Sequence, residues 1–293
     1  MDDVPLVGGK NASLGEMFSQ LISKGVSVPN GFALTVNFYW KFIKANGLDK
    51  KLPEFFKELD LNSVKSIQKV GKTARQAIME ASFSEDLKKE LFDAYSQMSQ
   101  KYGGAPVDVA VRTSGVAEDM PNASFAGQFE TYLNIVGQKN LLEAVKKCFV
   151  SFFTDRAIVY RQEMKIDQLK TGMSVGVQKM VRSDLGSAGV MFSCDTESGF
   201  GDVVLINASY GLGENVVKGK VEPDQYYVFE TTLKKGFKPI IEKKIGPKLI
   251  KMVYGTGKVF TKDIATTKKE RENFVLNNEE ILSLANWSVI IEG

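Results

Sequence analysis

Histidine is absent from this sequence, and cysteine is nearly so. Without histidine the chain by itself cannot form a Ser-His-Asp triad, an HExxH zinc site or a phosphohistidine, and it has no histidine general base. The two cysteines, Cys148 and Cys194, lie far apart without a CxxC motif, which argues against a zinc site and a disulfide. Cys148 falls in an apolar helical pattern and is expected to be a buried thiol. Chemistry must therefore come from lysine, arginine, carboxylates, hydroxyls, backbone amides or a bound metal.

Long apolar runs and an excess of one charge sign are also missing. No run approaches the ~18 uninterrupted apolar residues of a membrane helix, and the N-terminal sequence MDDVPLVGGK lacks the basic and apolar regions of a signal peptide. The 38 basic and 35 acidic residues give a net charge of +3, which is too balanced to indicate nucleic-acid binding. We therefore expect a cytoplasmic protein whose partners include neither a membrane nor a nucleic acid.

Helical and strand-like patterns follow one another along the 293 residues. The first part predicts an amphipathic helix over residues 10–25, with Asn11 and Ser13 as possible caps, and a long helix over roughly residues 141–164. From Met173 onward the pattern predicts strands, in segments such as MSVGVQKMV, SAGVMFSCD, DVVLINASYG and DQYYVFE. The last segment, NNEEILSLANWSVIIEG, is again helical in pattern. These patterns predict an α+β protein with two lobes around a cleft.

The first of three glycine-rich segments is VGGKNASLGE, residues 7–16. Its two glycines let the backbone bend, and Lys10 stands just before the predicted helix, whose N-terminus favours an anion. The segment can therefore hold a phosphate. It is not the GxxxxGK[ST] loop, because only GGK is present, and an ordinary helix entry is the alternative interpretation.

The second segment is VRTSGVAEDMPNASFAGQFET, residues 111–131, which connects two apolar strands. A plain hairpin needs two to five turn residues, and this connection uses about fifteen. Arg112 offers a planar fork of donors that suits phosphate oxygens. The small residues that can approach or bind a ligand here are Thr113, Ser114, Gly115, Gly127 and Thr131. The alternative is a long surface loop in which Arg112 pairs with Glu118 or Asp119.

The third segment is SYGLGENVVKGKVEPDQ, residues 209–225, in which a GLG turn follows a strand. Glu214 begins a possible short helix and can be a metal or ribose ligand, or it can simply favour the helix dipole. Glu222 and Asp224 can likewise be either ligands or residues with a purely structural role. The turn lacks the third glycine and the βαβ setting of a Rossmann fingerprint. Three glycine-rich elements forming one site across two lobes would indicate nucleotide binding.

The same segments resemble a known family. Four motifs occur in the order found in the N-terminal ATP-binding region of the phosphoenolpyruvate synthase and pyruvate phosphate dikinase family: VGGKNASLGEM, AVRTSGVAEDMPNASFAGQFETYLNIVG, VQKMVRSDLGSAGVMFSCDTESGFGD and ASYGLGENVVKGKVEPDQYYV. The similarity runs from about Val7 to Glu292. It implies an α+β, ATP-grasp-like fold, with an N-terminal lobe over residues 1–182, a C-terminal lobe over residues 183–293 and ATP held between them.

The resemblance also implies roles for individual residues. The implied nucleotide-binding residues are Lys10, Arg112, Thr113, Ser114, Gly127, Thr131, Gln178, Met180, Val181 and Glu214. Lys10 and Arg112 would contact the ATP phosphates, where Arg112 would stabilise charge on the phosphoryl group that leaves. Gly127 and Thr131 would lie in the loop over the phosphates. The small residues of this loop would let it fold over a triphosphate.

At the other end of the nucleotide, Gln178 would lie on the hinge strand where adenine binds, beside the backbone groups of Met180 and Val181. The family's Mg²⁺ ligands belong to a DIEW-like segment and a Q-x-R-P strand, which do not occur before Gly293. We therefore expect ATP and Mg²⁺ as cofactors, and we assign no metal ligand within this chain.

The family reaction implies the partners of this chain. ATP phosphorylates a histidine on a swivelling domain, which carries the phosphoryl group to pyruvate on a third domain, and AMP, phosphate and phosphoenolpyruvate are released. The resemblance thus implies part of a Mg²⁺-dependent transferase of gluconeogenesis that works with phosphohistidine and pyruvate-binding domains. Neither domain is present here, so we expect a fragment that does not make phosphoenolpyruvate alone.

The final phosphoryl acceptor distinguishes the members of this family. AEDMPNASFAGQ favours the synthase and the rifampicin phosphotransferases over the phosphate dikinase, and VRSDLGSAGVMFSCDTESGF points further toward the synthase. The acceptor-binding domain, which would decide between them, is not in the sequence. The alternatives are the ATP region of a rifampicin phosphotransferase-like or pyruvate phosphate dikinase enzyme, and a non-catalytic nucleotide-binding module.

Overall fold

A computed structural model describes residues 3–115, 119–120, 123–124, 130–257 and 259–293. The chain divides into two compact units. Unit 1 covers Met1–Gln20 and Val28–Met180, and unit 2 covers Leu21–Ser27 and Val181–Gly293. Each unit combines helices with its own antiparallel sheet, which confirms the predicted α+β class. In the part of the chain that is described, no helix combines the length and the apolar character needed to cross a membrane.

Unit 1 alternates helices with short strands. In chain order its elements are α1 (Val4–Leu21, whose last residue belongs to unit 2), β1 (Gly31–Leu34), α2 (Val36–Ala45), α3 (Leu48–Phe56), α4 (Val64–Glu80), α5 (Glu85–Lys101), β2 (Val109–Gly115), β3 (Asp119–Met120), β4 (Ala123–Ser124), β5 (Thr131–Ile135), α6 (Gln138–Ser151), α7 (Asp155–Glu163) and β6 (Met173–Lys179). The strands β3 and β4 pair with each other.

The main sheet of unit 1 has the strand order β1-β6-β2-β5, and every neighbouring pair is antiparallel. Successive residues of a strand point to opposite faces. On β2, Val109 and Val111 are fully buried, and helices α2 and α6 contact the central strands β6 and β2. Ala110, Arg112 and Ser114 alternate with these valines on the second face. This second face therefore carries the small and polar residues that can border a site.

The helix predicted over residues 141–164 is wrong as a single element, because α6 ends before Thr154 and α7 begins after it. Thr154 has an extended backbone, and its hydroxyl accepts the N–H three residues on at 3.4 Å. Arg75 and Arg161 donate to the carbonyl oxygens of the two residues before Thr154, at 2.7 and 2.6 Å. These arginines satisfy carbonyls that a continuous helix would have bonded itself.

Unit 2 is richer in strands. After a 3-10 turn at Ser183–Leu185 its elements are β7 (Ser187–Phe192), β8 (Val203–Tyr210), α8 (Glu214–Val217), β9 (Asp224–Phe229), α9 (Glu230–Leu233), β10 (Ile240–Lys244), β11 (Ile250–Tyr254), β12 (Thr261–Ala265), α10 (Lys268–Glu272) and α11 (Asn278–Glu292). The strands predicted after Met173 are confirmed, as is the closing helix. The sheet order is β10-β9-β8-β7, and β11 and β12 form a separate hairpin.

The core of unit 2 lies between this sheet and α11. Its buried residues are Val204, Ile206, Ala208, Tyr226, Val228, Leu233, Leu276, Ile281, Leu282 and Ala285. The helix α11 begins at a capping box, in which the Asn277 side chain accepts backbone N–H groups of the first turn and Glu280 reaches back to the Asn277 N–H. The capping box explains why the helix begins at Asn278.

A buried carboxylate also holds unit 2 together. Asp224 is fully buried and accepts hydrogen bonds from Lys248 Nζ (2.5 Å), the Gly246 N–H (2.8 Å), the Tyr226 hydroxyl (3.1 Å) and the Val275 N–H (2.7 Å). Lys248 is fully buried as well. Because the protein itself satisfies this carboxylate, its role in the structure is to join β9 to the segments that follow it.

Candidate functional site

Gly8 sets how the first helix meets the sheet. It interrupts α1 with φ 72° and ψ 161°. A Cβ at this position would lie 2.4 Å from Oγ of Ser114 and 2.6 Å from its carbonyl oxygen. Only glycine therefore allows the backbone of α1 to approach β2 this closely. The helix predicted over residues 10–25 is observed as the segment of α1 that follows Gly8 and ends at Leu21.

Asn11 then connects α1 to the central strands. Its N–H donates to Oγ of Ser114 (3.3 Å), and its Nδ2 donates to Oγ of Ser174 (3.0 Å). The Ser174 hydroxyl in turn donates to the carbonyl oxygen of Leu34 on β1 (2.7 Å). A Cβ on Gly176 would lie 2.3 Å from Oδ1 of Asn11. Asn11 thus lies inside α1 and fixes it on the small-residue face of the sheet.

A cavity of about 490 Å³ opens beside this junction. It is lined by α1, by residues 29–33 around β1, by Arg112 of β2 and by Gly176–Gln178 of β6. In the β2–β6 register Arg112 lies opposite Gly176, and Ala110 lies opposite Gln178. Since residues two apart share a face, Arg112 and Gln178 stand on the same face of neighbouring strands.

The cavity combines apolar walls with a few polar groups. Its apolar lining residues include Val7, Leu14, Phe18 and Phe32, and its polar ones include Asn11, Asn30, Arg112 and Gln178. The Gln178 Nε2 donates to the carbonyl oxygen of Pro29 at 3.2 Å, which orients its amide. Apolar surface can cover a flat ring, and a guanidinium can bind an anion, so the lining suits a ligand with both parts.

The other residues predicted for the phosphate end are Lys10, Gly127 and Thr131, and none of them is among the residues that line the cavity in the described part of the chain. Lys10 is exposed on α1, directly before Asn11. Thr131 of β5 is exposed and lies opposite Arg112 in the β2–β5 register. Gly127 lies outside the described residues, and so do the side chains with which the loop alternative would pair Arg112. The structure thus brings Arg112 and Thr131 together on adjacent strands.

Thr113 and Ser114 are buried, with 3% and 0% of their surface exposed. The Ser114 hydroxyl accepts the Asn11 N–H, and Thr113 lies on the opposite face of the strand. Their predicted contact with a nucleotide therefore stays a prediction. In this structure Ser114 supports α1 at the edge of the cavity.

Two further predicted residues stand where β6 leaves unit 1. The Met180 N–H donates to the Asp108 carbonyl oxygen (3.0 Å), and its own carbonyl accepts Lys179 Nζ (2.8 Å). The Val181 carbonyl accepts the Ser183 N–H at 2.7 Å. Most of the backbone groups that were predicted to lie near a base are thus engaged within the protein.

In unit 2, Glu214 begins α8 as predicted and pairs with Lys218 one turn later. Gly211 precedes it with φ 84°, and a Cβ there would lie 2.4 Å from the carbonyl oxygen of Met252. Glu222 is exposed. Glu214 as a ligand stays a prediction. Within the described part of the chain, no group of three or more acidic or cysteine side chains could hold a metal ion.

Most of the lining residues were not predicted as site residues, and Asn11, Phe18 and Asn30 are examples. Asn11 was considered only as a possible helix cap, and Phe18 lies in the amphipathic helix predicted over residues 10–25, where 38% of its surface is exposed. Asn30 lies in the VPNG turn before β1. Polar or aromatic residues next to glycine-rich turns were a usable signal, but the partners of Asn11 are 103 and 163 positions away.

Comparisons with known proteins identify the family. The family model described as "Pyruvate phosphate dikinase, AMP/ATP-binding domain" matches residues 4–293. The chain is 52% identical to phosphoenolpyruvate synthase of Aquifex aeolicus (strain VF5), covering all of this chain and 34% of that protein. The corresponding protein of Synechocystis sp. is 54% identical, with 99% of this chain and 36% of the relative covered.

The phosphoenolpyruvate synthase of Escherichia coli (strain K12) is 45% identical over the whole chain and 37% of its own length. The chain therefore spans about a third of the length of these curated relatives. The matched domain is ATP-grasp-like, which confirms the predicted fold class. With a family model that covers residues 4–293, the chain belongs to the pyruvate phosphate dikinase AMP/ATP-binding domain family.

Proposed function

We propose that this chain is the ATP-binding part of a phosphoenolpyruvate synthase (pyruvate, water dikinase). The observation that carries the proposal is the cavity in which Arg112 and Gln178 stand on one sheet face beside the start of α1. The three relatives named above are phosphoenolpyruvate synthases. Their names favour pyruvate as the final acceptor over a rifamycin.

ATP fits the residues that line the cavity. Arg112 and Lys10 would bind the phosphates, and Arg112 would stabilise the charge that develops as a phosphoryl group leaves. Gln178 would face the base, and the apolar wall of α1 would exclude water from it. Ser114 would act by holding α1 in place, because its hydroxyl already accepts the Asn11 N–H.

Further assignments belong to this proposal. Gly127 and Thr131 would cover the phosphates, Thr113 would support the same strand, and Met180 and Val181 would border the base. Glu214 as a nucleotide ligand is also part of the proposal. The lobe boundary between residues 182 and 183 belongs to the proposal too. We assign no Mg²⁺ ligand within this chain.

The complete enzyme would be a cytoplasmic transferase of gluconeogenesis that uses Mg²⁺ with ATP. Its phosphoryl group would pass to a histidine on another domain, since this chain contains none, and then to pyruvate on a third. With the full gene product, ATP and pyruvate should release AMP, whereas ATP and a rifamycin should not. AMP release with a rifamycin and not with pyruvate would change the proposed acceptor, but it would not contradict the proposed ATP site.

Arg112→Ala tests the site itself. Titration calorimetry of the chain with ATP should show an affinity lower by about 1–3 kcal/mol, the range for a lost hydrogen bond to a charged group. Arg156→Ala is the matched control, because Arg156 is an exposed arginine on α7 of the same unit. Equal affinities for both variants, or no ATP binding by the folded wild-type chain, would contradict the proposal.

A further inference from the structure

An ion pair holds the last residues of β6. Lys179 Nζ lies 2.5 Å from Oδ1 of Asp108 and 2.8 Å from the carbonyl oxygen of Met180. The side chains of Lys179 and Asp108 are only 17% and 19% exposed, and the ring centroid of Tyr102 lies 5.8 Å from the ammonium. This pair is therefore much more shielded from water than an ordinary surface salt bridge.

The same two residues also hold the backbone at this point. The Met180 N–H donates to the Asp108 carbonyl oxygen (3.0 Å), and the Lys179 N–H donates to the carbonyl oxygen of Asn30 (2.9 Å). Both backbone polar groups of Met180 are thus bonded inside unit 1. Residues 108, 30 and 180 come from three separate segments, so the pair joins them at the end of the strand.

Gln178 directly precedes Lys179, one of the two residues of this ion pair. As a strand neighbour of Lys179 it points to the opposite face, where it lines the cavity, and its amide is held by the Pro29 carbonyl. Pro29 directly precedes Asn30, which accepts the Lys179 N–H. Movement of Lys179 would therefore move Gln178 and the partner that orients its amide together. Arg112 lies on the neighbouring strand β2, opposite Gly176 and three positions along β6 from Lys179.

We propose that Lys179 and Asp108 are positioning residues for the base end of the nucleotide. The proposal rests on the function proposed above, in which Gln178 faces adenine. The pair keeps the Gln178 amide at a fixed place, so that it can tell the amino group of adenine from the carbonyl oxygen of hypoxanthine. Because the Met180 N–H already donates to the Asp108 carbonyl oxygen, it does not donate to the base, and the discrimination proposed here is that of the Gln178 amide.

The experiment separates the base from the phosphates. Affinities for ATP, inosine triphosphate and inorganic tripolyphosphate are measured by calorimetry for wild type, Lys179→Met and Asp108→Asn. Both variants should bind ATP about tenfold more weakly, with the preference for ATP over inosine triphosphate reduced by a similar factor, because a misplaced polar group loses about one hydrogen bond. Tripolyphosphate affinity should not change. Lys170→Met is the matched control, since Lys170 forms an exposed pair with Asp167 in the same unit.

A purely structural pair would give a different pattern. Equal losses for ATP and tripolyphosphate, or unchanged ATP preference in folded variants, would overturn the proposal. If a single variant fails to fold because one charge is left unpaired, the double variant Lys179→Met with Asp108→Leu removes both charges and is read in the same way. Absence of ATP binding by the wild-type chain would contradict the proposed function itself, which distinguishes that failure from this one.

Discussion

Units 1 and 2 both place a charged residue on an antiparallel sheet near a glycine-rich turn, but the surroundings of the charge differ. In unit 1, Arg112 borders a cavity of about 490 Å³. In unit 2, Asp224 is fully buried and accepts four hydrogen bonds, one of them from the buried Lys248. A charged residue in such a segment therefore indicates a ligand only where the fold leaves room beside it.

Removal of the Asp224 carboxylate should have the largest effect. Asp224→Ala leaves the Lys248 ammonium buried without its counter-charge, which typically costs about 3–5 kcal/mol. We expect the free energy of unfolding of unit 2 to fall by about this amount. Urea denaturation followed by Trp287 fluorescence, in a Trp40→Phe background, measures it, because Trp287 lies on α11 of unit 2.

The paired control is Asp224→Leu combined with Lys248→Met. It should lose less free energy of unfolding than the two single variants together, because no lone charge remains buried. An unchanged urea midpoint for Asp224→Ala would show that the carboxylate does not stabilise the core. Asp224 would then return to the ligand interpretation that the sequence left open.

Gly8→Ala should have the next largest effect, and it affects unit 1, where α1 lines the cavity beside Arg112. The new Cβ would lie 2.4 Å from Ser114 Oγ at a positive φ of 72°, so we expect a loss of about 1–3 kcal/mol in the unfolding free energy of unit 1. Trp40 fluorescence in a Trp287→Phe background reports it, because Trp40 lies on α2.

Gly15→Ala is the control within the same helix. A Cβ at Gly15 meets no atom within 4 Å, and alanine is favoured over glycine inside a helix by about 0.5–1 kcal/mol. This variant should therefore be slightly more stable than wild type. If both alanine variants responded alike, the close approach at Gly8 would not be the feature that positions α1.

The smallest expected effect is a difference in reactivity between the two cysteines. Cys148 in the core of unit 1 is fully buried, and burial raises the pKa of its thiol far above the ordinary range. Cys194 in unit 2 is partly exposed. A thiol reagent should label Cys194 in the native protein and Cys148 only in urea, because the thiolate is the reactive form. Peptide mass spectrometry checks this, and native labelling at Cys148 would contradict it.

Periodicity in the sequence was sufficient for most of the fold. The strands after Met173 and the closing helix α11 were predicted from local apolar patterns. The break between α6 and α7 was not, because it depends on Arg75, which reaches a carbonyl 78 positions away. The helix α3 was not predicted either, since Pro53 lies within it and weakens the local helical signal.

The site divides in the same way. Arg112 and Gln178 were chosen from the sequence, and the strand register brings them to one cavity. Asn11 was not chosen as a site residue, because its partners on β2 and β6 are set by tertiary contacts. Buried Asp224 could not be separated from exposed Glu222 by sequence, since only packing determines which carboxylate meets Lys248.

The buried pair of Asp224 and Lys248 also restricts the evolutionary paths open to this sequence. A first mutation at either position leaves a lone charge in the core, and only a second mutation at the other position relieves it. A lineage that reaches an uncharged core must therefore pass through a poorly folded ancestor, or acquire both changes almost together. We therefore expect substitutions at these two positions, which lie 24 residues apart, to occur together.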